Sequence, residues 1–264
     1  MTICDLGDVC LYWTEDGDPV GAPVVFTHAL GVDLRMWDEV IPLLPQNLRL
    51  IRYDARGHGL SSCPPGPYSM GALVRDAERL LDRLGVKDCV FVGLSMGGLV
   101  AQGLAVKRLD LVRAMVLSNT AAKIGTPAQW QDRAATVLSG GTRALADLTM
   151  ERWFSKRFRA TGGAAIWRER FCETPTSGYA ATCAAIAGTD FITPTSGLGL
   201  PSLVVAGSED RSTPPDLVHE TAGLIRGARY HLLRGAGHLP PVDTPAAYAQ
   251  ILTGFLADIG HGTP

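Results

Sequence analysis

The chain has 264 residues, 46% of them hydrophobic and 19% charged, with a formal net charge of −2. That size and balance fit one generous α/β domain carrying an insertion better than two independent domains. No basic surface calls for nucleic acid, and no polybasic cluster or apolar run of roughly 20 residues calls for a membrane.

The N-terminus, Met1-Thr2-Ile3-Cys4-Asp5, has no charged segment followed by an apolar one, so a soluble cytoplasmic protein is expected. Cys4, Cys10, Cys63, Cys89, Cys172 and Cys183 show no C-x-x-C and do not cluster with histidine. They read as free thiols or small apolar residues, and neither metal nor cofactor is expected.

In chain order, Val9-Cys10-Leu11-Tyr12-Trp13 reads as an edge strand, followed by a turn over Glu15-Asp16-Gly17-Asp18-Pro19. Val24-Val25-Phe26-Thr27 is a continuous apolar run, as in a strand buried on both faces of a parallel sheet. It ends in His28-Ala29-Leu30-Gly31. Met36 to Leu44 is expected to be a helix closed by Pro45, and Leu48 to Tyr53 the next strand. Ser69 to Leu84 has helical apolar spacing and ends at Gly85, a C-cap.

Cys89-Val90-Phe91-Val92-Gly93-Leu94-Ser95-Met96-Gly97-Gly98 is the stretch around which the chain is organised. A β-branched run meets Gly-x-Ser-x-Gly and passes at once into a helical segment, the strand–turn–helix context of a nucleophile elbow. The serine takes a strained backbone, and glycines two residues away let strand and helix pass closely. A buried strand with a Gly-rich turn and an incidental serine is the plainer alternative.

Arg113 to Ser118 is a further strand, and the alternation of strands and helices implies an α/β fold with a mostly parallel, doubly wound sheet. From Ala121 to about Gly199 the rhythm fails. Only helical stretches follow: Pro127 to Leu138, Arg143 to Phe158, Ala164 to Phe171 and Gly178 to Ile186. Strands resume at Leu203 to Ala206 and Ala228 to Leu233, and a helix from Pro245 to Ile259 closes the chain. Residues 1–120 and 200–264 thus read as the core domain, with 121–199 a helical lid above the sheet edge where α/β sites lie.

A serine hydroxyl needs a base, itself oriented by a third group. Asp210 follows the strand Leu203 to Ala206, and His238 follows the last strand, in the chain order Ser, acid, His. His238 is expected to take the proton of Ser95, and Asp210 to hold its tautomer. Glu209 is the near rival for the acid. The backbone N–H groups of Leu30 and Met96 are the expected oxyanion hole. His28 and His58 read as structural hydrogen-bonders.

The elbow, the His28-Ala29-Leu30-Gly31 loop, Asp54-x-Arg56-Gly57-His58-Gly59-x-Ser61 and Gly235-x-Gly237-His238 resemble the α/β-hydrolase superfamily. More narrowly, the chain resembles the 3-oxoadipate enol-lactonases over almost its whole length. The similar stretches are Asp33 to Asp38, Gly93 to Gln102, Ser118 to Gly125, Trp130-x-x-Arg133, Arg152-Trp153-Phe154 and Gly178 to Ile186. The chain departs from the pattern at Ala29, where many relatives have Gly or Ser, and in the continuation Leu239 to Asp243.

The resemblance implies hydrolysis of 3-oxoadipate enol-lactone by a serine hydrolase, a small-molecule substrate carrying a carboxylate. A cation from the insertion should meet that carboxylate in a mostly apolar pocket, with Arg133 the first choice. Trp130 and Trp153 complete the candidate substrate-binding set, against a role in the insertion's own core. Other hydrolases of the same scaffold remain open, namely a small-ester carboxylesterase, a perhydrolase or a carbon–carbon bond hydrolase. So does a silent ligand receptor.

Overall fold

A strand covered on both faces of a sheet cannot alternate polar and apolar residues. The runs that lack alternation are the inner strands of an eight-stranded sheet in the computed structural model, which describes residues 2–262. The strands are β1 (Thr2–Asp5), β2 (Cys10–Gly17), β3 (Ala22–Thr27), β4 (Leu48–Tyr53), β5 (Cys89–Leu94), β6 (Val112–Ser118), β7 (Ser202–Gly207) and β8 (Arg229–Leu233). Their spatial order is β1-β2-β4-β3-β5-β6-β7-β8. β1 and β2 run antiparallel to their neighbours, and every pair from β4 to β8 is parallel. β5 and β7 are buried along their whole length.

Helices α1 (Met70–Arg83) and α2 (Met96–Lys107) precede and follow β5. Between β6 and β7 the described residues form helices only: α3 (Pro127–Gly140), α4 (Ala146–Trp153), α5 (Lys156–Ala160), α6 (Ala164–Glu173), α7 (Thr176–Ala187) and α8 (Ile192–Ser196), with a 3₁₀ turn over Thr142–Leu145. α9 (Pro215–Leu224) joins β7 to β8, and α10 (Pro240–Asp243) and α11 (Pro245–Asp258) close the fold. No helix among the described residues is long and apolar enough to cross a membrane.

Local differences from the sequence reading have physical causes. β2 is not the edge strand, because β1 pairs outside it. The acids read as a turn after it belong to the strand: Glu15 pairs with Arg49 at 2.8 Å and Asp16 with Arg52 at 2.8 Å, across to β4. The helix expected over Met36 to Leu44 is two 3₁₀ turns, Leu34–Trp37 and Ile41–Leu43. Asp33 caps the first through the Arg35 amide, and Pro42 withholds the donor a continuous α-helix would need. The helix expected over Arg143 to Phe158 breaks at Phe154, which is extended, and Ser155 caps the next turn.

Because β3, β5, β6, β7 and β8 are parallel neighbours, the loops that leave them emerge at one sheet edge. The insertion leaves the chain at that same edge.

Candidate active site

Between residues 89 and 105, Ser95 alone is not buried. It sits between β5 and α2 with φ 56° and ψ −114°, a left-handed backbone that costs a non-glycine residue on the order of 1–3 kcal/mol. The flanking glycines are required by contact. A Cβ on Gly93 would lie 2.1 Å from the Gly97 carbonyl oxygen, and one on Gly97 2.7 Å from that of Thr27. The bend is tied to β6: the Ser95 amide donates to Ser118 O (2.9 Å), and Thr120 Oγ1 donates to Ser95 O (2.7 Å). The first turn of α2 follows the serine directly, and the Gly98 and Leu99 amides donate to Ser95 O (2.9 and 3.3 Å).

Asp210 lies in the loop after β7 and is 4% exposed. Its Oδ1 accepts from the amides of Ser212 (2.7 Å) and Thr213 (3.1 Å), an Asx turn that fixes the carboxylate on its own loop. Its Oδ2 accepts from His238 Nδ1 (2.8 Å), Thr213 Oγ1 (2.7 Å) and Asn119 Nδ2 (2.8 Å). Burial alone would push this carboxyl up, but His238, Asn119 and Thr213 together hold it below the usual carboxylate range. With Nδ1 donating to Asp210, the tautomer leaves Nε2 as the acceptor.

His238 and Ser95 line one cavity of about 540 Å³. The hydrogen bonds of the described residues do not include one between them. Glu209 turns away and accepts from the Lys156 amide (3.0 Å). Leu30 lines the same cavity, Met96 is the first residue of α2, and neither amide donates to a protein acceptor among the described residues.

His28 Nδ1 bonds Ala29 O (2.7 Å), and its Nε2 accepts from the Ala55 amide (2.9 Å), so it braces the loop that carries Leu30. His58 is buried beside it, ring centroids 5.2 Å apart, and burial pushes its pKa down to about 3.

The insertion supplies most of the remaining wall, and Ser212, Thr213 and Leu217 after β7 complete it. Trp130, Arg133, Arg152, Trp153 and Tyr179 line the cavity. Trp130 Nε1 donates to Ile124 O (2.6 Å), so its ring packs while its polar tip is used at home. Arg133, one helical turn on, donates from Nε to Tyr179 Oη (2.6 Å) and from Nη2 to Thr149 Oγ1 (3.2 Å), which leaves Nη1 without a protein partner among the described residues. Tyr179 is fully buried, which pushes its pKa up to about 12 and keeps it a phenol. Arg152 is anchored from Nε and Nη2 to Arg211 O (3.2 and 3.1 Å). The Trp153 ring stacks on His238, centroids 6.5 Å apart.

Sequence reasoning missed Asn119, Thr213, Arg152 and Tyr179 as site residues. Asn119 left one signal: it follows β6 directly with φ 46°, a conformation asparagine tolerates better than most residues. Among the described residues no group of three or more His, Cys, Asp or Glu is placed to hold a metal ion.

A family model described as the alpha/beta hydrolase family matches residues 24–251. The chain is 32% identical to a 3-oxoadipate enol-lactonase of Acinetobacter baylyi over 251 residues, 91% of each chain. Its fold superposes on an enol-lactonase from Burkholderia xenovorans with a TM-score of 0.93, at 35% identity over 97% of this chain and all of that one. A thermophilic esterase from Thermogutta terrifontis, solved with malate bound, follows at TM-score 0.91 and 28% identity, covering 98% and 96% of the two chains.

Proposed function

Because the chain belongs to the alpha/beta hydrolase family, we propose that it opens 3-oxoadipate enol-lactone to 3-oxoadipate. One observation carries the reading. The cavity that holds Ser95 and the Asp210-braced His238 is also lined by Arg133, whose position is set by Tyr179 and Thr149. A carboxylated lactone needs a nucleophile at one end and a cation at the other. A guanidinium already held in place by two partners gives up little conformational entropy when it binds an anion.

Ser95 Oγ attacks the lactone carbonyl while His238 Nε2 takes its proton. The oxyanion is held by the Leu30 and Met96 amides, and Asp210 stabilises the imidazolium through Nδ1. Collapse breaks the ring C–O bond, and the departing enol oxygen takes the proton from His238. The enol then becomes the ketone. Water, deprotonated by the now neutral His238, attacks the acyl-enzyme; Ser95 Oγ leaves and is reprotonated. The sum is lactone plus water to a dicarboxylate and a proton. Residues 121–199 act as the lid, with Trp130 and Trp153 as apolar walls and Arg133 as the carboxylate partner.

A small-ester esterase is the second reading, favoured by the likeness to the Thermogutta enzyme. Turnover of the enol-lactone against that of neutral nitrophenyl esters separates the two. A higher kcat/KM on the lactone is expected, and a clear preference for the neutral ester overturns the lactonase reading.

A further inference from the structure

Asp243 ends α10, five residues after His238, and is not part of the cavity wall. Its Oδ2 accepts from the Gly237 amide (2.8 Å) and the Ser155 amide (3.0 Å), and its Oδ1 accepts from the Ser155 hydroxyl (2.8 Å). Gly237 immediately precedes His238. Ser155 follows Trp153 by two residues, at the break between α4 and α5. One carboxylate therefore joins the histidine's loop to the corner of the insertion that covers it.

The two segments also touch directly. The His238 amide donates to Trp153 O (2.6 Å), and the Trp153 indole stacks on the imidazole with 27° between planes. The approach leaves no slack, since a Cβ on Gly237 would lie 2.2 Å from Trp153 O. On the far side, Gly237 O accepts from Asn119 Nδ2 (3.1 Å). The Gly237–His238 backbone is thus held from three directions. Among the described residues, the Asp243 carboxylate is the one side-chain group that gathers both the loop and the insertion. Its bonds are charge-assisted, and they satisfy two amides that would otherwise lack partners at a crowded junction.

We propose that Asp243 is a positioning residue for His238, binding the Trp153–Ser155 corner to the histidine's loop so that general base and cavity wall keep one mutual geometry. This rests on the reading of Ser95 and His238 as nucleophile and base, and adds to it a residue that does not contact substrate. Asp243→Asn keeps the size but removes the charge and turns one of the two acceptor oxygens into an N–H₂ donor. Asp243→Glu keeps the charge and both acceptor oxygens. A displacement near 1 Å of a catalytic group lowers rate by up to about a hundredfold.

The test is the rate of labelling by a fluorophosphonate, in which the Ser95 Oγ–P bond forms, fluoride leaves and His238 takes the proton. Rates are measured on the whole chain and normalised to the folded fraction from gel filtration. Wild type should label rapidly. Asp243→Asn should label about tenfold to a hundredfold more slowly, with the loss on a neutral acetate ester falling in kcat rather than KM, and Asp243→Glu should recover most of it. Ser155→Ala removes one of the three bonds and should slow labelling by less. The pair with Asp243→Asn should be no slower than Asp243→Asn alone. Ser155→Ala also keeps the test decisive should Asp243→Asn not fold.

Labelling of the folded variants at the wild-type rate, or loss confined to KM, overturns the inference and leaves the hydrolase reading intact. A wild-type chain that does not label at Ser95 overturns the hydrolase reading itself.

Discussion

Ser95, Asp210 and His238 hang from the ends of parallel strands whose backbones are tied to one another, whereas Arg133 and Tyr179 are held by side chains on helices. At the sheet edge, main-chain groups do most of the fixing: the Ser95 amide donates to Ser118 O, and Asp210 accepts from the amides of its own turn, with Thr120 Oγ1 and Asn119 Nδ2 adding side-chain bonds. In the insertion, position follows from pairs such as Arg133 with Tyr179 and Thr149. A main-chain frame tolerates change at its surface and holds chemistry constant. A frame of side chains is revised by single substitutions, so it suits selectivity. Changes at the edge should therefore remove reactivity towards every substrate, and changes in the insertion should redistribute it.

The largest effect belongs to Ser95→Ala. Loss of the nucleophile should lower kcat on the order of 10⁵-fold or more on neutral ester and lactone alike. Substantial residual turnover of one substrate alone would break the comparison at its strongest point.

Asp210→Asn comes next, with kcat lower by on the order of 10³–10⁴-fold, because an amide no longer enforces the Nδ1–H tautomer. It also has a pH signature. The Asp210 carboxyl lies below its ordinary value in the folded chain, so as pH falls the unfolded chain takes up that proton first. Its stabilisation is complete above the ordinary value of about 4 and is lost as pH falls through its own lower value. Urea unfolding at pH 7 and in steps below pH 4 should show wild type losing stability relative to Asp210→Asn. A constant gap would mean that the charged form is not favoured by folding.

Arg133→Met tests the other region. Removing a charged donor should cost carboxylated substrate about tenfold to a hundredfold in kcat/KM, chiefly through KM, with the neutral ester little changed. Equal loss on both would make Arg133 a packing residue, and Arg152 the better candidate for the carboxylate.

The contrast also explains what could be read from the chain. Gly93, Ser95 and Gly97 announce themselves because a strained turn restricts residue type at fixed spacing, and the apolar runs of β3, β5 and β7 follow from coverage on both faces. Asp210 and His238 were legible as residues after strands. β1 was not, since four residues with one partner on a sheet edge carry little hydrophobic pattern. Glu15 and Asp16 misled because their turn-like character is offset by Arg49 and Arg52, thirty-four and thirty-six residues away. Tyr179 was hidden for the same reason: its role exists only where α7 meets α3.

The smallest effect probes the joint between the regions. Gly178 in α7 meets Gly57 backbone to backbone: a Cβ at 178 would lie 2.3 Å from Gly57 O and 2.6 Å from its Cα. The loop cannot yield freely, because the Gly57 amide donates to Ser62 O (3.0 Å) and the His58 amide to Ala55 O (3.1 Å). With Gly178→Ala it is therefore α7 that must move, and Tyr179 moves with it. Overpacking of this kind costs about 1–3 kcal/mol, and each kcal/mol lowers Tm by roughly 2–4 °C in a chain of this size. Since Tyr179 holds Arg133, a modest rise in KM for carboxylated substrate should accompany the lower Tm, while fluorophosphonate labelling of Ser95 keeps its rate. A slower labelling rate at unchanged KM would mean that strain at the joint reaches the sheet edge, and that the two regions are not separable as argued.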